Sequence, residues 1–78
     1  MRRFYFHLFN DEEIWDREGI ELADEAEALA RGAHAAREMA AESVREGRLV
    51  LGHRIVVCME DNRTIGTIHF RDVIAIAD

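Results

Sequence analysis

The chain opens on a clean alternation. In Phe4-Tyr5-Phe6-His7-Leu8-Phe9, Phe4, Phe6 and Leu8 fall on one side and Tyr5, His7 and Phe9 on the other, the period of two that a strand imposes. Asn10-Asp11-Glu12-Glu13 is a polar turn, after which Ile14-Trp15 and Gly19-Ile20-Glu21-Leu22 supply a short, irregular second strand returning beside the first. Asp24, with Glu27 three residues on, is a helix start, because its side chain can accept from orphan amides of the first turn. The helix is expected to run to Glu46: Gly47 suits the left-handed position just past a helix end, and Arg45 and Arg48 sit at the negative end of the dipole.

A second alternating pair, Arg54–Met59 and Thr64–Phe70, flanks a turn at Asp61-Asn62 and predicts a hairpin. With Asp61 and Asn62 as the two turn residues, Met59 faces Thr64, Val57 faces Gly66, Ile55 faces Ile68 and His53 faces Phe70. Residues 71–78 read equally as a turn of helix, an edge strand or an unstructured tail. The order β-β-α-β-β makes residues 1–78 one α+β domain, an antiparallel sheet of three to four strands with one long helix on one face. That face is built by Phe4, Phe6, Leu8, Ile55, Val57, Ile68 and Phe70.

Two apolar surfaces are left over. On a helical wheel, Ala26, Leu29, Ala30, Ala33, Ala36, Ala40 and Val44 form the stripe expected to meet the sheet, and Arg37 falls in its middle. Ala28, Gly32, Ala35 and Met39 form a second, narrower stripe on which another helix can approach closely. The sheet face opposite the helix carries Tyr5, Phe9, Val56, Cys58 and Ile65, which lie in water in a monomer unless Val73-Ile74-Ala75-Ile76 folds back over them. Both surfaces point to self-association, and a homodimer is its simplest closed form.

Composition then removes whole classes of function. The chain is 49% hydrophobic and 33% charged with no proline, so it is a folding sequence and not a disordered one. A net charge of −6 argues against direct nucleic-acid binding, which draws on clustered Lys and Arg. All 10 basic residues are arginine. The single Cys58 has no partner for a disulfide or a CxxC motif and fits a reducing compartment. No stretch approaches the ~18 apolar residues of a membrane span, and Met1-Arg2-Arg3 leads straight into a strand with no signal-peptide core, so a cytoplasmic location without membrane contact is expected.

Candidate chemistry is sparse. His7, His34, His53 and His69 match no zinc-binding spacing, although His7 and His69 would share the outer sheet face if the first and last strands were neighbours. Arg37 can keep its head in water or pair with Glu21 or Asp72. The run from Asp11 to Glu27 holds nine of the sixteen acids with only Arg17 to offset them, yet lacks the glycine and ligand spacing of a calcium loop. Glu12, Glu13 and Asp16 in that run, with Trp15 as anchor, form an acidic edge suited to docking a basic partner. No nucleophile–base arrangement, phosphate loop or dinucleotide fingerprint occurs, and no catalytic residue, metal or cofactor is expected.

Several segments together resemble a known group of proteins: Arg3-Phe4-Tyr5-Phe6-His7-Leu8, Asp16-x-x-Gly19-Ile20-Glu21-Leu22, Ala33-x-x-Ala36-Arg37-Glu38 and Gly47-Arg48-Leu49. They resemble a domain-of-unknown-function family of short alphaproteobacterial, rhizobial-type proteins, and the resemblance spans most of the chain. Ala23 stands where that family usually has proline, which alters the helix cap and not the fold. The resemblance implies no established activity and marks Arg37 as its matching polar residue. The hairpin and glycine turn are also similar to the antitoxin domain of HicB-type toxin–antitoxin pairs, without the DNA-binding module that follows there.

The leading expectation is a non-enzymatic, cytoplasmic protein-interaction module, self-associating or docking another protein through its acidic edge or outer sheet face. A small ligand- or metal-binding domain using His7, His69 and Arg37 is the alternative, and an antitoxin-like inhibitor of a basic toxin is a third reading.

Overall fold

The structure is a computed structural model that describes residues 1–77. Strand β1 (Arg2–Phe9) is flanked on one side by two short strands, β2 (Glu13–Ile14) and β3 (Ile20–Leu22), and on the other by β4 (Arg54–Met59), which pairs in turn with β5 (Thr64–His69). Every pairing is antiparallel. The second strand of the sequence reading is therefore divided: β2 pairs Leu8↔Ile14 and Phe9↔Glu13, while β3 pairs Arg2↔Leu22, Arg3↔Glu21 and Phe4↔Ile20. The chain loops out between them over residues 15–19, which raises the sheet to five strands from the expected three to four.

The β4–β5 hairpin keeps the expected pairs Ile55↔Ile68 and Val57↔Gly66, but a bulge then sets Cys58 opposite Thr64 in place of Met59. Its turn is one residue longer than expected. The Asn62 N–H donates to the Met59 carbonyl at 2.9 Å, Asn62 adopts φ 66°, and the Met59 N–H closes on the Arg63 carbonyl at 2.9 Å. An asparagine tolerates that left-handed backbone, and the extra residue is absorbed by the bulge. In consequence Ile65 packs against the core on the helix side and leaves the outer face to which the regular register assigned it.

Helix α1 (Glu25–Arg45) begins and ends where its capping residues dictate. The Asp24 carboxylate accepts from the Glu27 N–H at 2.8 Å, and beyond the last turn Gly47 (φ 89°) and Arg48 donate to the carbonyls of Val44 and Ser43. The face it lays on the sheet keeps only part of the stripe the wheel selects, Ala36 and Ala40 with Leu29 beside them, and is rotated toward Ala28 and Gly32. Ala28, Gly32, Ala36 and Ala40 are buried, whereas Ala26, Ala30 and Val44 are exposed, Val44 at 58%. Ala28 and Gly32 therefore belong to the intramolecular core and are withdrawn from any second-helix interface, while Ala35 is half-buried against it. Arg37 lies outside the buried stripe. Its Nε donates to the Val73 carbonyl at 3.0 Å instead of pairing with Glu21 or Asp72.

A single helical turn, α2 (Phe70–Val73), follows β5 directly, with Phe70 buried and Val73 and Ile74 packed against the core. The tail thus closes over the helix side of the molecule and does not cover the outer sheet face. No helix of the described residues is long and apolar enough to cross a membrane.

Candidate interaction surface

With Ala28 and Gly32 taken into the core, the outer face of the sheet is the second of the two apolar surfaces read from the sequence, and one loop residue reshapes it. Trp15, carried by the loop between β2 and β3, lies against two outer-facing rings of β1: 4.7 Å from His7 and edge-on to Phe9 at 5.3 Å, centroid to centroid. Tyr5 stacks beside His7 at 6.4 Å, and the Arg54 guanidinium sits 4.8 Å from the Phe9 centroid. Val56 is half-buried and Cys58 buried, the latter with Sγ 3.6 Å from Thr64 Oγ1. Trp15 itself remains 51% exposed.

The loop is held by Asp16, whose side chain points inward. Its Oδ2 accepts from the Phe6 N–H at 3.1 Å, and its Oδ1 accepts from the N–H groups of Glu18 and Gly19 at 3.1 and 3.0 Å. Its own N–H donates to Nδ1 of His7, a residue only 8% exposed, at 3.1 Å. Burial pushes the Asp16 carboxyl up, but the amides of Gly19, Phe6 and Glu18 and the neighbouring His7 outweigh it and hold the group below its ordinary value of 3.8. Asp16 is thus a fastening of the loop and no part of a free acidic edge. Its signature in the sequence is the Asp16-x-x-Gly19 spacing of a side-chain-closed turn.

Glu12 and Glu13 are exposed beside this loop, as the docking reading requires. Shallow depressions of ≈ 510 and ≈ 400 Å³ lie against Trp15, the first reaching Tyr5, Arg17 and Glu60 and the second Phe9, Arg54 and Val56. Asp11 is drawn away to the end of α1, where the Arg48 guanidinium bonds it at 2.9 Å and, with His53 Nε2 at 3.5 Å, keeps its carboxyl below the usual value. A groove of ≈ 310 Å³ there is lined by Leu8, Met39, Phe70 and this polar cluster, so Met39 borders a cleft of its own chain.

The residues proposed for ligand or metal chemistry do not assemble. β4 separates β1 from β5, so His7 lies in the row His7–Val56–Thr67 and His69 in the row Phe9–Arg54–His69. His69 turns instead to Asp72, its Nδ1 at 3.4 Å, and Arg37 sits on the helix. Among the described residues no three His, Cys, Asp or Glu side chains come together as a metal-binding set.

The profile of one protein family, described as a domain of unknown function (DUF6894), matches residues 3–71. The chain belongs to this family. The DUF6894 span includes β1 from Arg3 onward, the Trp15 loop, the whole of α1 and the hairpin, so the outer face is built entirely from family sequence. No activity accompanies the family description, and membership assigns no residue a catalytic or binding role. No curated protein and no solved structure matches the chain.

Proposed function

We propose that this DUF6894 chain is a non-enzymatic, cytoplasmic protein-interaction module whose outer sheet face, centred on Trp15, docks a protein partner with a basic surface. The observation that carries the reading is Trp15 itself: 51% exposed, yet held against His7 and Phe9 by a loop whose amides are closed on Asp16. A rigid, half-exposed tryptophan loses little conformational freedom on binding and offers a large contact area, the properties of an interface anchor. Charge sets the partner's chemistry. Glu12, Glu13 and Glu18 are exposed within three residues of the anchor along the chain, and in a protein of net charge −6 they outnumber the nearby Arg17 and Arg54, so basic side chains are steered toward this edge. The lone Cys58, without a disulfide partner, suits a reducing compartment.

The test is capture and identification of bound proteins with the wild-type chain, Trp15→Ala and the double variant Glu12→Lys/Glu13→Lys. One identified basic protein should be retained by the wild type, released by salt and lost by both variants, while thermal melts show all three chains folded. A captured protein that binds the variants as well as the wild type does not use this face, and the reading fails.

A further inference from the structure

The two edges of the sheet are treated differently by the sequence. On the β2/β3 side the edge is broken into pieces of two and three residues, interrupted by the Trp15 loop and studded with Glu12, Glu13, Glu18 and Glu21. Short, charged and interrupted strands are how natural sheets prevent edge-to-edge pairing. On the other side, β5 ends the sheet as six consecutive residues, Thr64-Ile65-Gly66-Thr67-Ile68-His69, with no proline, carboxylate or guanidinium. In a chain that is 33% charged, that run is the less protected edge, blunted by the bulge at Ile65 near its start and left regular from Gly66 onward.

Hydrogen-bond direction shows which groups the edge offers. The Phe70 N–H points inward to the His53 carbonyl at 2.8 Å, so by antiparallel alternation Ile68 and Gly66 also point toward β4, and Thr67 and His69 point away. The outward N–H of His69 is already taken by Asp72 Oδ2 at 2.9 Å. Thr67 is left at the centre of the edge with its N–H and C=O directed out of the sheet.

We infer that the β5 edge pairs with the β5 edge of a second copy, antiparallel and centred on Thr67. A two-fold axis at Thr67 lets its N–H and C=O bond reciprocally with their symmetry mates, keeps both helices on one face of a continuous sheet, and sets Gly66 opposite the partner's Ile68. The arrangement is isologous and uses both open edges, so it closes as a dimer, whereas an unrelated peptide would leave a fresh edge exposed. Threonine facing threonine across an antiparallel pair is a favourable contact. Ile65 and Ile68, half-buried at the end of the core, gain cover from their counterparts. Electrostatics agree, because the acidic residues from Glu12 to Glu21 lie along the far edge, where two chains of net charge −6 hold their densest charge apart. The pairing uses the edge alone and is independent of the Trp15 face.

Sedimentation equilibrium on the wild type, Thr67→Lys, Thr67→Val and Trp15→Ala tests it. The wild type should weigh twice the 9.0 kDa chain at high concentration, and Thr67→Lys should raise the dissociation constant by about tenfold or more at an unchanged thermal melt, since it sets two ammonium groups face to face on the axis. Thr67→Val should remain dimeric. The Thr67 amide should also exchange with solvent more slowly as wild-type concentration rises. A wild-type monomer throughout, a dimer unaffected by Thr67→Lys, or a dimer lost in Trp15→Ala but kept in Thr67→Lys each overturns the edge pairing.

Discussion

Gly32 of α1 stands directly over Ile68 of β5: a methyl group at Gly32 would come within 2.6 Å of Ile68 Cδ1 and 3.2 Å of Val57 Cγ2. The missing side chain lets the helix settle on the sheet, and two substitutions separate packing from helix propensity. Alanine gains about 1 kcal/mol of propensity, which displacement of the rotatable Ile68 methyl offsets, so Gly32→Ala should stay within about 1 kcal/mol of wild type. Gly32→Leu has no comparable space and should lose about 3 kcal/mol, near the top of the usual overpacking range. Urea denaturation of the two variants provides the comparison.

Asp16 should make the fold sensitive to acid. Its carboxyl lies below the ordinary value in the folded chain, so its contribution is present above the unfolded-state pKa of about 3.9 and is lost as pH falls through the lower folded value. Asp16→Asn keeps one oxygen where the native side chain uses two, and turns an amide donor toward either Phe6 N–H or the Glu18 and Gly19 N–H pair. A loss of roughly 1–3 kcal/mol near neutral pH is expected, together with a shallower decline of stability below about pH 4 than in wild type. Denaturation midpoints between pH 2 and 7 would show both effects.

His7→Phe should preserve the ring beside Trp15 but remove the acceptor for the Asp16 N–H. Leaving that part-buried donor unpaired should lower stability by about 1–3 kcal/mol. Tryptophan emission should shift to longer wavelength if the loop loosens around Trp15, and an unshifted spectrum with unchanged stability would show that the His7–Asp16 bond does not hold it.

Gly19 and Gly47 share a left-handed backbone, at φ 67° and 89°, and differ in their surroundings. A methyl at Gly47 meets nothing within 4 Å, so Gly47→Ala should carry only the backbone penalty of about 1 kcal/mol. At Gly19 the same methyl lies 2.8 Å from the Phe4 carbonyl oxygen and 2.9 Å from Tyr5, and that carbonyl belongs to the central strand. Gly19→Ala should therefore lose at least about 2 kcal/mol. Thermal melts of the pair would order them.

How far the sequence speaks depends on whether the signal is local. The first strand, the hairpin and both helix ends were legible because alternation, the Asp24 cap and the left-handed Gly47 are properties of a few neighbouring residues. Membership of the family was legible for a related reason, since the aromatic-His strand and the Asp16-x-x-Gly19 turn are contiguous patterns. Which stripe of α1 meets the sheet was legible only in part, at Ala36 and Ala40. Alanines occupy nearly every direction around this helix, so hydrophobicity alone has no sharp maximum, and the choice falls to whichever stripe lets Ile68, Val57 and Phe6 approach most closely. Gly32 decides it, through contacts made by residues more than twenty positions away.

The acidic loop divides in the same way. Its letters show charge, and Glu12 and Glu13 are exposed as charge alone suggests. An aspartate reads identically whether solvated or bonded to three backbone amides, so only the folded loop separates Asp16 from its neighbours. Likewise, the sequence by itself determined two strand-rich ends joined by a capped helix, with one cysteine and an excess of acid. Tertiary structure decided the strand order that keeps His7 and His69 apart, the bulge that turns Ile65 inward, and the placing of Trp15 on Phe9, because each depends on the meeting of segments that no local pattern brings together.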